Sequence, residues 1–194
     1  SINLDEFNKN IIDPVKLTFD AKVYGKTFEE IIESECIRQI DKGNTNLIGY
    51  FHQNLFRYAN NGWYVPSTGF DVANDERHIY VEMKNKHNTM NSSSAKATYI
   101  KMQDKLLSDR NATCMLVEVI AKKSQNIIWK VTLDNVHYSN EQIRRVSIDK
   151  FYEMVFGDSS YFVQLCRVLP NILDDVIRDT YQQFQIRNTV YDEL

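Results

Sequence analysis

Apolar side chains recur at two spacings along the chain, and each spacing predicts a different kind of element. Between residues 26 and 41 they recur every three or four positions, which is the period of an α-helix. Thr27 suits the cap of this helix, and two acids follow in its first turn, where the helix dipole favours negative charge. A second helix is predicted over residues 47–58, after a break at residues 43–44.

Residues 69–84 follow a period of two instead, which predicts two short strands joined by a tight turn at residues 74–76. On this pattern Asp71 faces about Tyr80, and Glu82 is its diagonal neighbour, roughly 7–8 Å away. The side chains predicted to enter the core from the second strand are those of Ile79, Val81 and Met83. Glu82 and Lys84 therefore share the opposite face, close to Asp71.

The polar stretch at residues 85–94 predicts a loop, and one of the serines at 92–94 is expected to cap a helix that runs to about Ser108. A continuous apolar run at residues 113–121 predicts a central strand that is buried on both faces. Residues 127–133 are predicted to be its hairpin partner, and residues 134–147 a polar connection.

The two ends of the chain differ in pattern. Residues 1–25 are expected to be irregular because Pro14 limits any helix there. Residues 148–185 carry apolar positions at helical spacing, with a break at 157–159. The predicted fold class is α/β, a sandwich with a central mixed sheet flanked by helices. We expect one domain over residues 1–194, with its core at about 26–133 and a helical C-terminal part at about 148–185.

Composition narrows the class of protein further. The 194 residues are 43% hydrophobic and carry a net charge of −3, which suits a globular domain that is not a basic nucleic-acid binder as a whole. A local basic patch can still bind DNA. No apolar run reaches the length of a membrane span, and no signal pattern begins the chain, so we expect no membrane partner. Three widely spaced cysteines in apolar stretches are expected to be reduced core residues of a cytoplasmic protein, namely Cys36, Cys114 and Cys166.

The charged end of the predicted hairpin is the candidate for chemistry. Phosphodiester hydrolysis needs an activated water and neutralised charge on the transition state, and one or two Mg²⁺ ions held by carboxylates supply both. Asp71 and Glu82 are the candidate ligands, and the Met83 carbonyl could add an oxygen. Lys84 could orient the water, help to deprotonate it, or stabilise the scissile phosphate. The alternative is an ordinary charged face of a sheet.

An acid on the apolar stripe of the first helix is a further candidate. Helical projection places Glu35 beside Ile31 and Ile32, and burying an unpaired carboxylate is expensive. Its partner could be an arginine or lysine in a salt bridge, or it could be the metal of the hairpin site. Glu33, nearer the edge of the stripe, is the next choice for the second role.

The residues around the hairpin resemble the PD-(D/E)XK nuclease superfamily, with Gly-Phe-Asp71 followed by Tyr-Val-Glu82-Met-Lys84. A wider set of strings resembles type II restriction endonucleases that cut GGNCC-like sites: Asn-Leu-Ile-Gly-Tyr-Phe-His52-Gln-Asn, Val-Pro-x-x-Gly-Phe-Asp71-Val and Val-Glu82-Met-Lys84-Asn-Lys-His-Asn-Thr-Met-Asn91. The segment at residues 146–157 also resembles these endonucleases. Phe70 stands where the proline that names the superfamily motif is expected.

This resemblance implies an αβββαβ core, in which Asp71 and Glu82 bind Mg²⁺ (Mn²⁺ may substitute) and Lys84 is the catalytic lysine. Glu35 would be the helix acid, with Glu33 next. The resemblance also implies a bacterial cytoplasmic enzyme that acts on double-stranded DNA, forms a homodimer and shares its site with a cognate DNA methyltransferase that need not bind it.

Loop chemistry adds candidates for DNA contact. Lysine pairs with guanine, and asparagine can bridge adenine or accept from cytosine. The residues predicted to read bases are Asn85, Lys86, His87, Asn88 and Asn91. Those predicted to bind phosphates, which fixes register without reading sequence, are Lys96, Lys101 and Arg57. Two other functions stay open: a repair or junction-resolving nuclease, and a DNA-binding domain whose acid–lysine face is inert.

Overall fold

The computed structural model of the chain describes residues 13–59, 61–133 and 135–191. The chain divides into two compact units, Ser1–His52 and Gln53–Leu194. The part of the predicted irregular segment at residues 1–12 lies outside the described residues.

The described residues of the first unit include helix α1, Pro14–Tyr24, so the prediction of irregular structure is wrong from residue 13 onward. Asp13 caps α1: its Oδ1 accepts hydrogen bonds from the backbone N–H of Val15, at 2.9 Å, and of Lys16. Pro14 occupies the first helical position, where its missing N–H costs nothing and its fixed φ suits the helix. The proline therefore starts a helix instead of preventing one.

Helix α2 spans Phe28–Phe56 without a break, so the predicted interruption at residues 43–44 is wrong. A glycine in a helix interior costs only about 1 kcal/mol relative to alanine, which a helix of this length can absorb. The predicted start is confirmed: the Thr27 N–H donates to Glu30 Oε2 at 2.8 Å, and the Glu30 N–H donates to Thr27 Oγ1 at 3.3 Å. This reciprocal pair is a capping box. A short 3₁₀ turn, Arg57–Ala59, follows α2.

The second unit is built on a five-stranded mixed sheet, whose strands in spatial order are β1 (Val72–Asn74), β2 (Ile79–Lys86), β3 (Thr113–Ile120), β7 (Ile143–Ser147) and β4 (Asn126–Ile128). Helix α3 (Ser92–Ser108) connects β2 and β3. Strands β1 and β2 form the predicted antiparallel hairpin, and β3 runs parallel to β2 after the α3 crossover. The predicted mixed sheet flanked by helices, and the predicted central strand, are thus confirmed.

The strand pairing after β3 differs from the prediction. Strand β4 (Asn126–Ile128) pairs with β7 (Ile143–Ser147), and β7 is the parallel partner of β3. Strands β5 (Val131–Leu133) and β6 (Val136–Tyr138) form a separate two-stranded sheet. The predicted hairpin of residues 127–133 with β3 and the polar connection at 134–147 are both wrong. Strand β7 has the sequence Ile-Arg-Arg-Val-Ser, which does not by itself predict a buried strand. Its location beside β3 buries it.

Helices α4 (Ile148–Phe156) and α5 (Tyr161–Tyr191) end the described chain and confirm the predicted helical C-terminal part. Gly157, at φ 84°, ends α4 in the left-handed conformation that glycine tolerates best. Among the described residues, no helix combines the length and apolar character that crossing a membrane requires.

Two apolar clusters cover the two faces of the sheet. One packs Val81, Met83, Met115 and Val117 against α4 and Phe56. The other packs Tyr80, Cys114 and Leu116 against Tyr99 and Met102 of α3. The predicted alternation in β2 is therefore confirmed, with Ile79 packed against the first cluster. Glu82 and Lys84 lie on the α3 face, beyond the apolar side chains and toward the end of the strand.

Candidate active site

Asp71 directly precedes β1, and its carboxylate contacts the backbone of β2. Val72 pairs with Val81 and Ala73 with Tyr80, so the prediction that Asp71 faces Tyr80 is wrong. The Asp71 N–H donates to the Val81 carbonyl at 2.8 Å, and Asp71 Oδ2 accepts from the Met83 N–H at 2.7 Å. Two consecutive residues thus face Val81, which is the arrangement of a β-bulge, a feature that re-aims side chains near active sites.

Two lysines hold the Glu82 carboxylate, one on each oxygen. Lys84 Nζ donates to Oε1 at 2.8 Å from the same strand, and Lys101 Nζ donates to Oε2 from α3. Lys101 Nζ also donates to the Gly69 carbonyl at 3.1 Å and lies 4.7 Å from the centre of the Phe70 ring. Lys101 therefore links α3, β2 and the segment that leads into Asp71. The predicted phosphate contact of Lys101 stays a prediction.

The pKa values of the two acids are shifted in opposite directions. Burial raises the pKa of the Asp71 carboxyl above its ordinary value; the Met83 N–H opposes this shift, and the Glu82 charge adds to it. Burial also disfavours ionised Glu82, but hydrogen bonds from Lys101 and Lys84 outweigh burial, so the pKa of Glu82 lies below its usual range. A divalent cation placed between the two carboxylates would favour ionised Asp71, since it would neutralise the repulsion.

The donor set suits a hard divalent cation. Asp71 and Glu82 supply carboxylate oxygens, and Met83 has a backbone carbonyl between Glu82 and Lys84. Mg²⁺ typically takes one or two protein carboxylates and keeps several waters. Among the described residues, no group of three or more His, Cys, Asp or Glu side chains is placed to hold a metal. Two carboxylates and a backbone carbonyl are the kind of oxygen ligands that Mg²⁺ takes.

Glu35 forms the ion pair that an acid on an apolar stripe needs. Its carboxylate accepts from Arg38 Nε at 2.7 Å and from Gln39 Nε2 at 3.2 Å. The Arg38 hydrogen bond lowers the pKa of Glu35 to about 2. The salt bridge considered as one alternative is thus present, and the proposed contribution of Glu35 to the active site stays a prediction. Glu33 is exposed.

The predicted base-reading residues begin on β2 itself, since the strand runs to Lys86 and the loop starts two residues later than predicted. Asn85 is half-buried, and its Oδ1 has no hydrogen-bond partner among the described residues. Asn91 caps α3 by accepting from the Ser94 N–H at 2.8 Å, so the cap expected at one of the serines is wrong. Lys86, Lys96 and Arg57 are exposed. Their predicted DNA contacts remain predictions.

His87 and Asn88 lie against a buried ion pair that the sequence interpretation missed. Glu118, on β3, is only 1% exposed. Its Oε1 accepts from Arg145 Nη2, and its Oε2 lies 2.9 Å from His87 Nδ1. The same Arg145 nitrogen donates to Asn88 Oδ1 at 3.1 Å. One signal could have revealed this cluster: Glu118 is the single charged residue in the apolar run of β3.

Removing the Glu118 side chain is expected to destabilise the protein by about 3 kcal/mol at pH 7, because Glu118→Ala leaves the Arg145 guanidinium without its buried partner. Hydrogen bonds and charges from Arg145 and His87 outweigh burial and lower the pKa of Glu118, so its stabilising contribution is lost as the pH falls through that lowered value. Urea unfolding at several pH values measures both effects.

The matched control is Glu141→Ala, which removes an exposed glutamate of the same unit. It should change the free energy of unfolding by less than about 0.5 kcal/mol. Equal stabilities of Glu118→Ala and the parent, or a stability difference that does not narrow in acid, would contradict the assigned role of the buried pair.

Comparisons with known proteins identify relatives of this chain. A family model described as Eco47II restriction endonuclease matches residues 1–178. The chain is 34% identical over 188 residues to the type II restriction enzyme Sau96I of Staphylococcus aureus, an alignment that covers 91% of this chain and 71% of the relative. It is 29% identical over 189 residues to the type II restriction enzyme Eco47II of Escherichia coli, covering 91% and 78%.

No solved structure matches the chain. The family match spans both compact units and includes every candidate residue of the hairpin site. The chain therefore belongs to the Eco47II restriction endonuclease family, and it is a sequence-specific endodeoxyribonuclease of the type II restriction class.

Proposed function

We propose that this endonuclease hydrolyses phosphodiester bonds in both strands of double-stranded DNA at a short, pseudopalindromic site related to GGNCC. The observation that carries the proposal is the placement of Asp71, Glu82 and Lys84 together at one end of the β1–β2 hairpin, in a chain that matches a restriction endonuclease family. Mg²⁺ is the proposed cofactor, and Mn²⁺ can replace it.

The proposed division of roles follows from the side chains. Asp71 and Glu82 hold the cation, with the Met83 carbonyl as a further oxygen ligand. When bound, Mg²⁺ supplies Lewis-acid stabilisation of the phosphate and a more acidic water. The Lys84 ammonium, held 2.8 Å from Glu82 Oε1, lies where it can donate a hydrogen bond to the attacking water or to a scissile phosphate oxygen. Its fixed positive charge favours the more negative transition state. Glu35 is proposed as the supporting acid of the first unit.

The proposed DNA contacts extend from the same strand. Base reading is assigned to the residues that follow Lys84, and phosphate binding to exposed cations that fix the register. The proposed base readers are Asn85, Lys86, His87, Asn88 and Asn91, and the proposed phosphate contacts are Lys96, Lys101 and Arg57. A symmetric site implies a two-fold homodimer, with both units of each chain acting as one nuclease domain. The proposed setting is the bacterial cytoplasm, beside a methyltransferase that modifies the same site.

Digestion of a sequenced plasmid tests this function directly. The parent protein is expected to yield discrete bands whose mapped ends share one short site, in Mg²⁺ or Mn²⁺. Excess EDTA is expected to abolish cutting because Asp71 and Glu82 alone supply no Lewis acid. Added Mg²⁺ should then restore the same bands.

Two outcomes would contradict the proposal. Cutting that follows DNA structure, such as junctions or nicks, and not sequence would favour the repair or junction-resolving alternative. Cutting that persists in EDTA would overturn the assignment of Mg²⁺.

A further inference from the structure

We propose that the Glu118–Arg145 pair is a positioning device that holds the His87–Asn88 turn in register with Lys84, so that reading a base and cutting the backbone become one event. This inference rests on the proposed function, because it takes His87 and Asn88 as part of the DNA-reading segment. It adds the residues that determine site specificity from outside that segment.

The sheet register places the pair beside the catalytic strand. Lys84 pairs with Glu118 across β2 and β3, and Glu118 pairs with Ser147 of β7. Cα partners on neighbouring strands project to the same face, so Glu118 lies next to Lys84 on the α3 side of the sheet. The backbone of Glu118 is thus one strand spacing, about 4.8 Å, from the strand that carries the proposed catalytic lysine.

The turn after β2 is fixed from three sides. The His87 N–H donates to the Ile120 carbonyl at 3.0 Å, which extends the β2–β3 contact past Lys86. His87 Nδ1 lies 2.9 Å from Glu118 Oε2 and 2.9 Å from Arg145 Nη2, and its tautomer decides whether it donates to the carboxylate or accepts from the guanidinium. Asn88 follows at φ 55°, a left-handed conformation that asparagine adopts more readily than most residues. Its side chain ends on the same arginine nitrogen.

Stability alone does not explain this pair. A buried ion pair commonly contributes no more to stability than a well-packed apolar pair of similar volume. The β3 residues from Cys114 to Val117 are buried and apolar. Leu116 occupies the position before Glu118 on the same face of the sheet. The charged pair occurs where the strand meets the turn. Its consequence is local: the turn cannot shift without stretching a contact to a buried carboxylate or to the guanidinium that it holds.

A double-mutant cycle on site discrimination tests the inference. Discrimination is the ratio of kcat/KM on the cognate site to kcat/KM on sites with one substituted base pair. Arg145→Lys keeps a positive charge near Glu118, but the lysine side chain is one bond shorter than the arginine, which withdraws the nitrogen that donates to Asn88 Oδ1. Asn88→Gly removes the amide and keeps the positive φ accessible. Each variant is expected to lower discrimination about tenfold, and the double variant should lie within about twofold of Arg145→Lys alone.

The control is Arg144→Lys, the same substitution one residue earlier, on a side chain that bonds to Asn126 on the other side of β7. It should leave discrimination unchanged. Thermal unfolding of every variant separates positioning from simple loss of fold, since a purely structural role lowers Tm and leaves the discrimination of the folded fraction unchanged.

The results have distinct meanings. Parental discrimination in folded Arg145→Lys, or additive effects in the double variant, overturns the inference and leaves the proposed function intact. If the Arg145 variant fails to fold, parental discrimination in Asn88→Gly has the same meaning. A parent protein that cuts DNA without site preference refutes the proposed function and the inference together.

Discussion

Replacing Asp71 with asparagine is expected to lower the Mg²⁺-dependent cleavage rate by about 10³-fold and to leave the protein at least as stable as the parent. A metal ion contributes several kcal/mol of charge stabilisation in the transition state, and each 1.4 kcal/mol corresponds to tenfold in rate. The asparagine carbonyl can still accept from the Met83 N–H, which Asp71 Oδ2 binds at 2.7 Å. The local fold therefore has no reason to change.

The stability half of this prediction follows from the sign of the pKa shift. Burial raises the pKa of Asp71, so the ionised carboxylate opposes folding, and this penalty grows as the pH rises through that pKa. A neutral amide avoids the penalty. Single-turnover cleavage measures the rate, and thermal unfolding without metal at pH 7 measures stability. Asp104→Asn, an exposed acid on α3, is the matched control and should match the parent in both assays.

Near-parental cleavage by Asp71→Asn would remove Asp71 from the metal site. A clear fall in stability at pH 7 would instead contradict the electrostatic account of the buried carboxylate. The cleavage assay thus tests Asp71 as a metal ligand, and the unfolding assay tests the cost of burying its carboxylate.

The hairpin could be predicted from sequence because its signal is local. Alternation over residues 79–84 specifies which side chains enter the core, and burial of Val81 and Met83 confirms it. The register could not be predicted to the residue. The turn extends through His78, at φ 54°, and the bulge at Asp71 adds a residue to one strand. Neither the extended turn nor the bulge has a distinct sequence pattern, although together they determine the position of Asp71.

Contacts between distant segments escaped prediction for a different reason. Lys101 is 19 residues from Glu82, and Arg145 is 27 residues from Glu118. Helical or strand periodicity relates positions only within one element, so it cannot indicate which strands become neighbours. The parallel pairing of β7 with β3 brings Arg145 beside Glu118, and that pairing was predicted wrongly. The acid in the apolar strand was a visible anomaly, but the sequence did not identify its partner.

The two lysines on Glu82 offer the sharpest remaining prediction. Lys84→Met is expected to lower the single-turnover cleavage rate by about 10³-fold, the range for loss of a positioned proton donor or acceptor. Lys101→Met is expected to cost only about tenfold, as for a residue that orients a metal ligand. Each methionine keeps an unbranched apolar stem, and each variant leaves one ammonium on the Glu82 carboxylate. The two variants therefore control for loss of charge at that acid.

The expected asymmetry arises because Lys101 is also bonded to the Gly69 carbonyl, which ties it to the scaffold, whereas the only contact described for Lys84 Nζ is Glu82. Equal losses, or a larger loss for Lys101→Met, would transfer the catalytic role from the strand lysine to the helix lysine.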